Sequence, residues 1–162
     1  MQACFFGEWL MACRTALIVA TAFIITLAAL LAAPSAYAQG TGEPTGVWQT
    51  QAGDARVRVS KCGGGICGVI VGLRDPIDPG TGKPQLDDKN PNPNLRKRPM
   101  IGLPLFSGMQ PVAAGKWSGQ IYNADDGSTY ASSVSVTGPD TLKVEGCVGA
   151  LCGGENWTRV GR

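Results

Sequence analysis

Six cysteines and a complete lack of histidine set the chemistry open to this chain of 162 residues. Cys62, Cys67, Cys147 and Cys152 form two pairs with the same C-x4-C spacing. Thiols spaced this way close disulfides or, as thiolates, hold zinc. Without histidine there is no Ser-His-Asp or Cys-His machinery, no imidazole metal ligand and no ordinary acid-base group near neutral pH. An enzyme built from this sequence would have to use carboxylates, lysine or tyrosine, and no such constellation is recognisable. The expectation is a protein that is not an enzyme and carries no cofactor and no metal, with a histidine-free hydrolase as the weakest alternative.

Other short patterns have plain structural readings. Gly63, Gly65 and Gly68 spell G-x-G-x-x-G, yet a pyrophosphate site needs a helix N-terminus after the glycines, and Val69-Ile70-Val71 reads as a strand. These glycines suit a tight hairpin turn instead. Asn123-Ala124-Asp125-Asp126-Gly127 lacks the alternating acidic positions and later glutamate of a calcium loop, and its Asp126-Gly127 step predicts a turn. Arg96-Lys97-Arg98 offers three adjacent positive charges that suit an anionic group or acidic surface, although such runs are commonly just solvated. Asn156-Trp157-Thr158 matches a glycosylation acceptor and is read as incidental.

The compartment follows from the first forty residues. Arg14 precedes an apolar stretch over 16–33, then Pro34 and the small-residue pattern Ala36-Tyr37-Ala38. That order predicts a signal peptide over 1–38, cut before Gln39, with Met11 as an alternative start. The stretch is just long enough to span a bilayer, but Pro34 and the cleavage pattern favour removal over anchoring, leaving no membrane span. Cys4 and Cys13 leave with the signal, and an even set of four cysteines in an exported chain points to disulfides. Three connectivities are open; the local pairs Cys62–Cys67 and Cys147–Cys152 are favoured because each closes a glycine-containing turn. The signal removes Arg14 and Glu8, so the net charge stays at +2, too small a bias to imply nucleic acid.

Residues 39–162 suit one domain with a modest core. They read as short strands parted by turn residues: Thr45–Gln51, Ala55–Lys61, Ile66–Leu73, Met100–Phe106, Lys116–Asn123, Thr129–Val136, Thr141–Cys147 and Asn156–Val160. About eight strands at this spacing predict an all-β antiparallel meander or barrel. Between the third and fourth lies a long segment, 74–99, where six prolines forbid a regular element. Loops of this length act as lids or binding loops or are tolerated insertions. A closed sheet would bring Trp48, near its start, beside Arg159, near its end, and a guanidinium stacked on the indole would plug that end.

Gly53-Asp54-Ala55-Arg56-Val57, Cys62-Gly63-Gly64-Gly65-Ile66-Cys67-Gly68, Leu73-Arg74-Asp75-Pro76, Asn90-Pro91, Arg98-Pro99, Ile121-Tyr122-Asn123, Asp126-Gly127, Tyr130 and Asn156-Trp157-Thr158-Arg159 closely resemble domain-of-unknown-function family 2147, small exported bacterial proteins. The resemblance runs from about Pro44 to Arg159, and Ala124 departs from the proline expected at its position. It implies a lipocalin-like up-and-down β-barrel in the periplasm, without catalytic residues to carry over. Gly46-x-Trp48 and Arg159 resemble the end-closing signature of lipocalins. The resulting expectation is a periplasmic protein that binds a small apolar or amphipathic molecule. Arg74, Asp75, Arg96, Arg98, Tyr122 and Tyr130 are the candidate polar groups of the mouth, and Trp48, Arg159, Asp126 and Gly127 the structural ones. The alternative is an envelope interaction module without a cavity.

Overall fold

Alternation of side chains decides the architecture. Val57 and Val59 are buried while Arg56, Arg58 and Ser60 between them are exposed, the two-residue period of a sheet with one face turned to a core. In the computed structural model, which describes residues 42–162, eight strands follow one another: β1 (Gly46–Gln49), β2 (Ala55–Cys62), β3 (Gly65–Leu73), β4 (Pro104–Ala113), β5 (Lys116–Asn123), β6 (Ser128–Gly138), β7 (Thr141–Val148) and β8 (Leu151–Gly161). Each pairs antiparallel with the next, and β1 pairs with β8 to close a barrel. The expected signal peptide, 1–38, lies outside the described residues. Among the described residues, no helix is long and apolar enough to cross a membrane.

Both expected local disulfides form. Cys62–Cys67 spans the β2–β3 hairpin, whose turn is Gly63-Gly64 at φ 53° and 80°, the doubly positive turn that only glycine adopts freely. Cys147–Cys152 joins directly paired residues of β7 and β8, with Cα atoms 4.1 Å apart. Pairing the four sulfurs removes the thiolates that a zinc site would have needed.

Two strands differ from the sequence expectation by four residues or more at one or both ends, and the other six agree with it to within two residues at either end. The fourth strand runs over Pro104–Ala113, not Met100–Phe106, because Met100 and Gly102 belong to the end of the long segment: the Met100 amide donates to Gln85 O and the Gly102 amide to Ile70 O. Pro111 is tolerated inside β4 because the β3 register ends at Ile66 opposite Met109, so Pro111 has no β3 partner to which it would donate. The last strand begins at Leu151 rather than Asn156, since the glycine-rich start of β8 is held in register opposite β7 through Cys147–Cys152.

The core is the barrel interior. Trp48, Val57, Val59, Ile66, Phe106, Met109, Val134, Val136, Leu142, Val144 and Trp157 form one buried cluster. At one end Arg159 stacks over Trp48, its Cζ 4.1 Å from the ring centroid, and donates to Thr45 O and Glu43 O, both at 2.6 Å. The Trp48 indole donates to Pro44 O at 2.8 Å. Gly46 leaves room for the plug, because a Cβ there would lie 2.5 Å from Arg159 Nη1.

Candidate ligand cavity

Interior packing stops short of the other end. There Ile70 and Leu73 of β3, Leu105 of β4, Ile121 of β5, Val144 of β7 and Trp157 of β8 wall a cavity of about 930 Å³. Its rim is made by the turn around Ala52 and Asp54, by Arg74, Asp75, Gln85 and Met100 of the long segment, by Asn123–Asp125, and by Val148 and Leu151 of the last hairpin. Apolar walls with a few placed polar groups are the usual make-up of a small-molecule pocket, and the volume lies at the upper part of the usual range of roughly 300–1,000 Å³. A smaller recess of about 450 Å³ lies at the plugged end, lined in part by Pro44, Ile66 and Trp117.

Of the candidate mouth residues, Arg74, Asp75, Tyr122 and Tyr130 line the cavity, and Arg96 and Arg98 do not. Arg74 Nε lies 3.2 Å from Asp75 Oδ2, and its Nη1 donates to Ala52 O at 3.3 Å. The Tyr130 hydroxyl donates to Asp126 Oδ2 at 2.7 Å. That bond raises the phenol and lowers the Asp126 carboxyl, which also accepts from the Ser128 amide.

Arg98 turns inward within the long segment instead of being solvated. Asp87, fully buried, accepts from Arg98 Nε at 2.8 Å and Asn90 Nδ2 at 2.8 Å through Oδ2, and from the Tyr122 hydroxyl at 2.5 Å through Oδ1. Arg98 Nη2 lies 2.7 Å from the same Oδ2, and its guanidinium sits 5.6 Å from the Tyr122 ring centre. Burial, followed by the bond to Asp87, pushes the Tyr122 phenol up. Arg96 donates to Asn90 O at 2.7 Å. The segment is thus folded around one carboxylate and fastened to β5, and two isolated bridges, Ile77 with Pro84 and Leu86 with Pro99, brace it. Its Lys89 carbonyl packs over Gly127, where a Cβ would stand 2.0 Å away.

Besides Asp54 and Asp125 on the rim, two more carboxylates escaped the sequence reading. Asp87 sits in Leu86-Asp87-Asp88-Lys89 with nothing local to distinguish it from Asp88. Glu155 carried a signal, because Glu155, Trp157 and Arg159 alternate and therefore share one face of β8. It lines the cavity, half-buried, and accepts from the Trp157 indole at 2.5 Å and from the Gln51 backbone N–H at 3.3 Å.

An eight-stranded next-neighbour barrel, plugged at one end by an arginine on a tryptophan and hollow at the other, is a lipocalin-like barrel. A solved structure agrees: protein HP1028 from the human pathogen Helicobacter pylori, described as belonging to the lipocalin family, is similar with a TM-score of 0.63 and 25% identity, over 74% of this chain and 84% of that one. Residues 46–159 match the family described as "Uncharacterized protein conserved in bacteria (DUF2147)", and the chain belongs to that family. Comparison with curated proteins gives no match.

Proposed function

We propose that this chain is an exported, periplasmic binding protein that holds a small apolar or amphipathic molecule in the open half of its barrel. The observation that carries this reading is the cavity of about 930 Å³ walled by Ile70, Leu105, Ile121, Val144 and Trp157. Water gains little from so apolar a wall, and an aliphatic or ring-bearing occupant would remove that surface from solvent at about 25 cal/mol per Å². Export is supported by the two disulfides, which persist in oxidising compartments, and by the leader-like order of Arg14, the 16–33 stretch and Ala36-Tyr37-Ala38. The lack of histidine supports binding over catalysis.

Native mass spectrometry on protein taken from the periplasm without denaturation tests the reading, with the same sample unfolded as reference. A reproducible extra mass that disappears on unfolding is expected. A chain that is bare, and that also fails to take up neutral apolar probes, would overturn the proposal in favour of a module that docks another envelope protein.

A further inference from the structure

The charges lining the cavity run against those of the whole chain. Four carboxylates, Asp54, Asp75, Asp125 and Glu155, share the lining with a single cation, Arg74, while the chain as a whole carries +2. Arg74 is already spoken for, with Nε 3.2 Å from Asp75 Oδ2. Glu155 differs from the rim carboxylates because it stands beside Trp157 on the inward face of β8, among apolar walls. Its oxygens take one indole and one amide hydrogen, and none of the ion pairs among the described residues includes it. A carboxylate offers about four acceptor positions, so acceptor capacity remains for an occupant.

Resting on the binding reading above, we infer that the occupant is a cationic amphiphile: an apolar tail carrying a protonated amine or other ammonium head, with the head received by Glu155. The attraction is strongest where walls exclude water, because a charge pair is screened less there than at the surface. Trp157 and Tyr130 place aromatic rings in the same lining, the Tyr122 ring being occupied by the Arg98 guanidinium, and ring faces favour ammonium over carboxylate or sulfate. Asp54 and Asp125 at the rim extend the same sign outward and steer cations toward the mouth. An anionic head would meet Glu155 without a free cation to offset it.

The test uses the disulfide-bonded chain without its leader and measures displacement of the neutral probe N-phenyl-1-naphthylamine. The competitors, kept below micelle formation, are dodecylammonium, dodecyl maltoside and dodecanoate. Dodecylammonium is expected to bind at least about tenfold more tightly than dodecanoate at low salt, a difference of about 1.4 kcal/mol, and to lose that advantage as salt is added. Glu155→Gln should shrink the advantage to about threefold or less while leaving dodecyl maltoside nearly unchanged. Asp88→Asn, at an exposed carboxylate outside the lining, is the control for a change of charge alone and should leave all three affinities and their salt dependence nearly unchanged.

Equal affinities for the three heads, or an E155Q variant that weakens all three alike, would overturn the cation inference and leave the binding reading standing. Failure of the neutral probe and every competitor to bind would overturn both.

Discussion

The Tyr122 hydroxyl donates to Asp87 Oδ1 at 2.5 Å, joining the end of β5 to the middle of a segment that holds six prolines. Arg98 holds the other oxygen of the same carboxylate at 2.7 Å. A side chain with no exposure thus gathers a phenol, a guanidinium and the Asn90 amide, and every buried side-chain nitrogen or oxygen among the described residues has a partner. The prolines stiffen the segment, and Asp87 decides where it lies. Since Arg74, Asp75, Gln85 and Met100 of this segment edge the cavity, the Asp87 node also fixes one side of the mouth.

Removing the cation from that node should be costly. Arg98→Met leaves Asp87 buried without its counter-charge, a situation that typically costs about 3 kcal/mol or more. Urea unfolding should show the loss, and limited proteolysis should cut between residues 88 and 98 in the variant well before the barrel unfolds. A variant as stable and as protease-resistant as the wild type would mean that Asp87 is hydrated and the segment is held by other contacts.

Alkaline titration reports on the same node. Burial and the bond to Asp87 hold the Tyr122 phenol above its ordinary value of 10.0. A raised pKa means that the contribution of this group is complete below the ordinary value and is lost as pH rises through the higher folded value. Tyr122→Phe should cost about 1 kcal/mol at neutral pH, the usual worth of a hydrogen bond, and the gap between wild type and variant should close above pH 10. A gap that stays constant to strongly alkaline pH would show that the hydroxyl does not titrate in contact with Asp87.

A pair of glycine substitutions separates backbone strain from close packing. Gly127 (φ 73°) and Gly149 (φ 59°) both sit in the left-handed region, but a Cβ on Gly149 meets nothing within 4 Å whereas one on Gly127 meets Lys89 O at 2.0 Å. Gly149→Ala should cost about 1 kcal/mol from the backbone alone, and Gly127→Ala at least twice that, with the 88–98 stretch loosened. Equal losses in thermal melts would indicate that the long segment does not lie over the β5–β6 turn.

How much of this was legible beforehand follows the range of the interactions. Val57 and Val59 alternate within one strand, Cys62 and Cys67 bracket one turn, and Trp48 with Arg159 follows once the sheet is assumed to close, so local pattern reaches all three. Pro111 concealed the second half of β4 because its tolerance depends on where β3 begins, which a strand cannot register from its own residues. Tyr122 and Tyr130, among the polar groups expected to orient an occupant of an apolar pocket, lie in the cavity lining, whereas Arg98, expected beside them, is drawn 11 residues back to Asp87. Glu155 could have been found by extending the alternation of Trp157 and Arg159 one step toward the start of β8; the glycines before it hid the strand.

The plugged end and the hollow end should respond separately to mutation. Arg159 has a side chain only 8% exposed, donates to Thr45 O and Glu43 O at 2.6 Å and stacks 4.1 Å over Trp48, so it ties the chain entry, β1 and β8 together. Arg159→Met keeps an apolar cover on the indole but strands the carbonyls, and should cost about 2–4 kcal/mol. Arg159→Lys should recover only part of that, because one ammonium cannot reproduce the spread donors of a guanidinium. Neither substitution touches the lining of the large cavity. Affinity for a neutral apolar probe, measured at a temperature where all three proteins are folded, should therefore stay within about twofold of wild type, well under 1.4 kcal/mol. A large fall in affinity would mean that the plug and the cavity act as one unit, with Trp48 transmitting the disturbance through the buried cluster to Trp157.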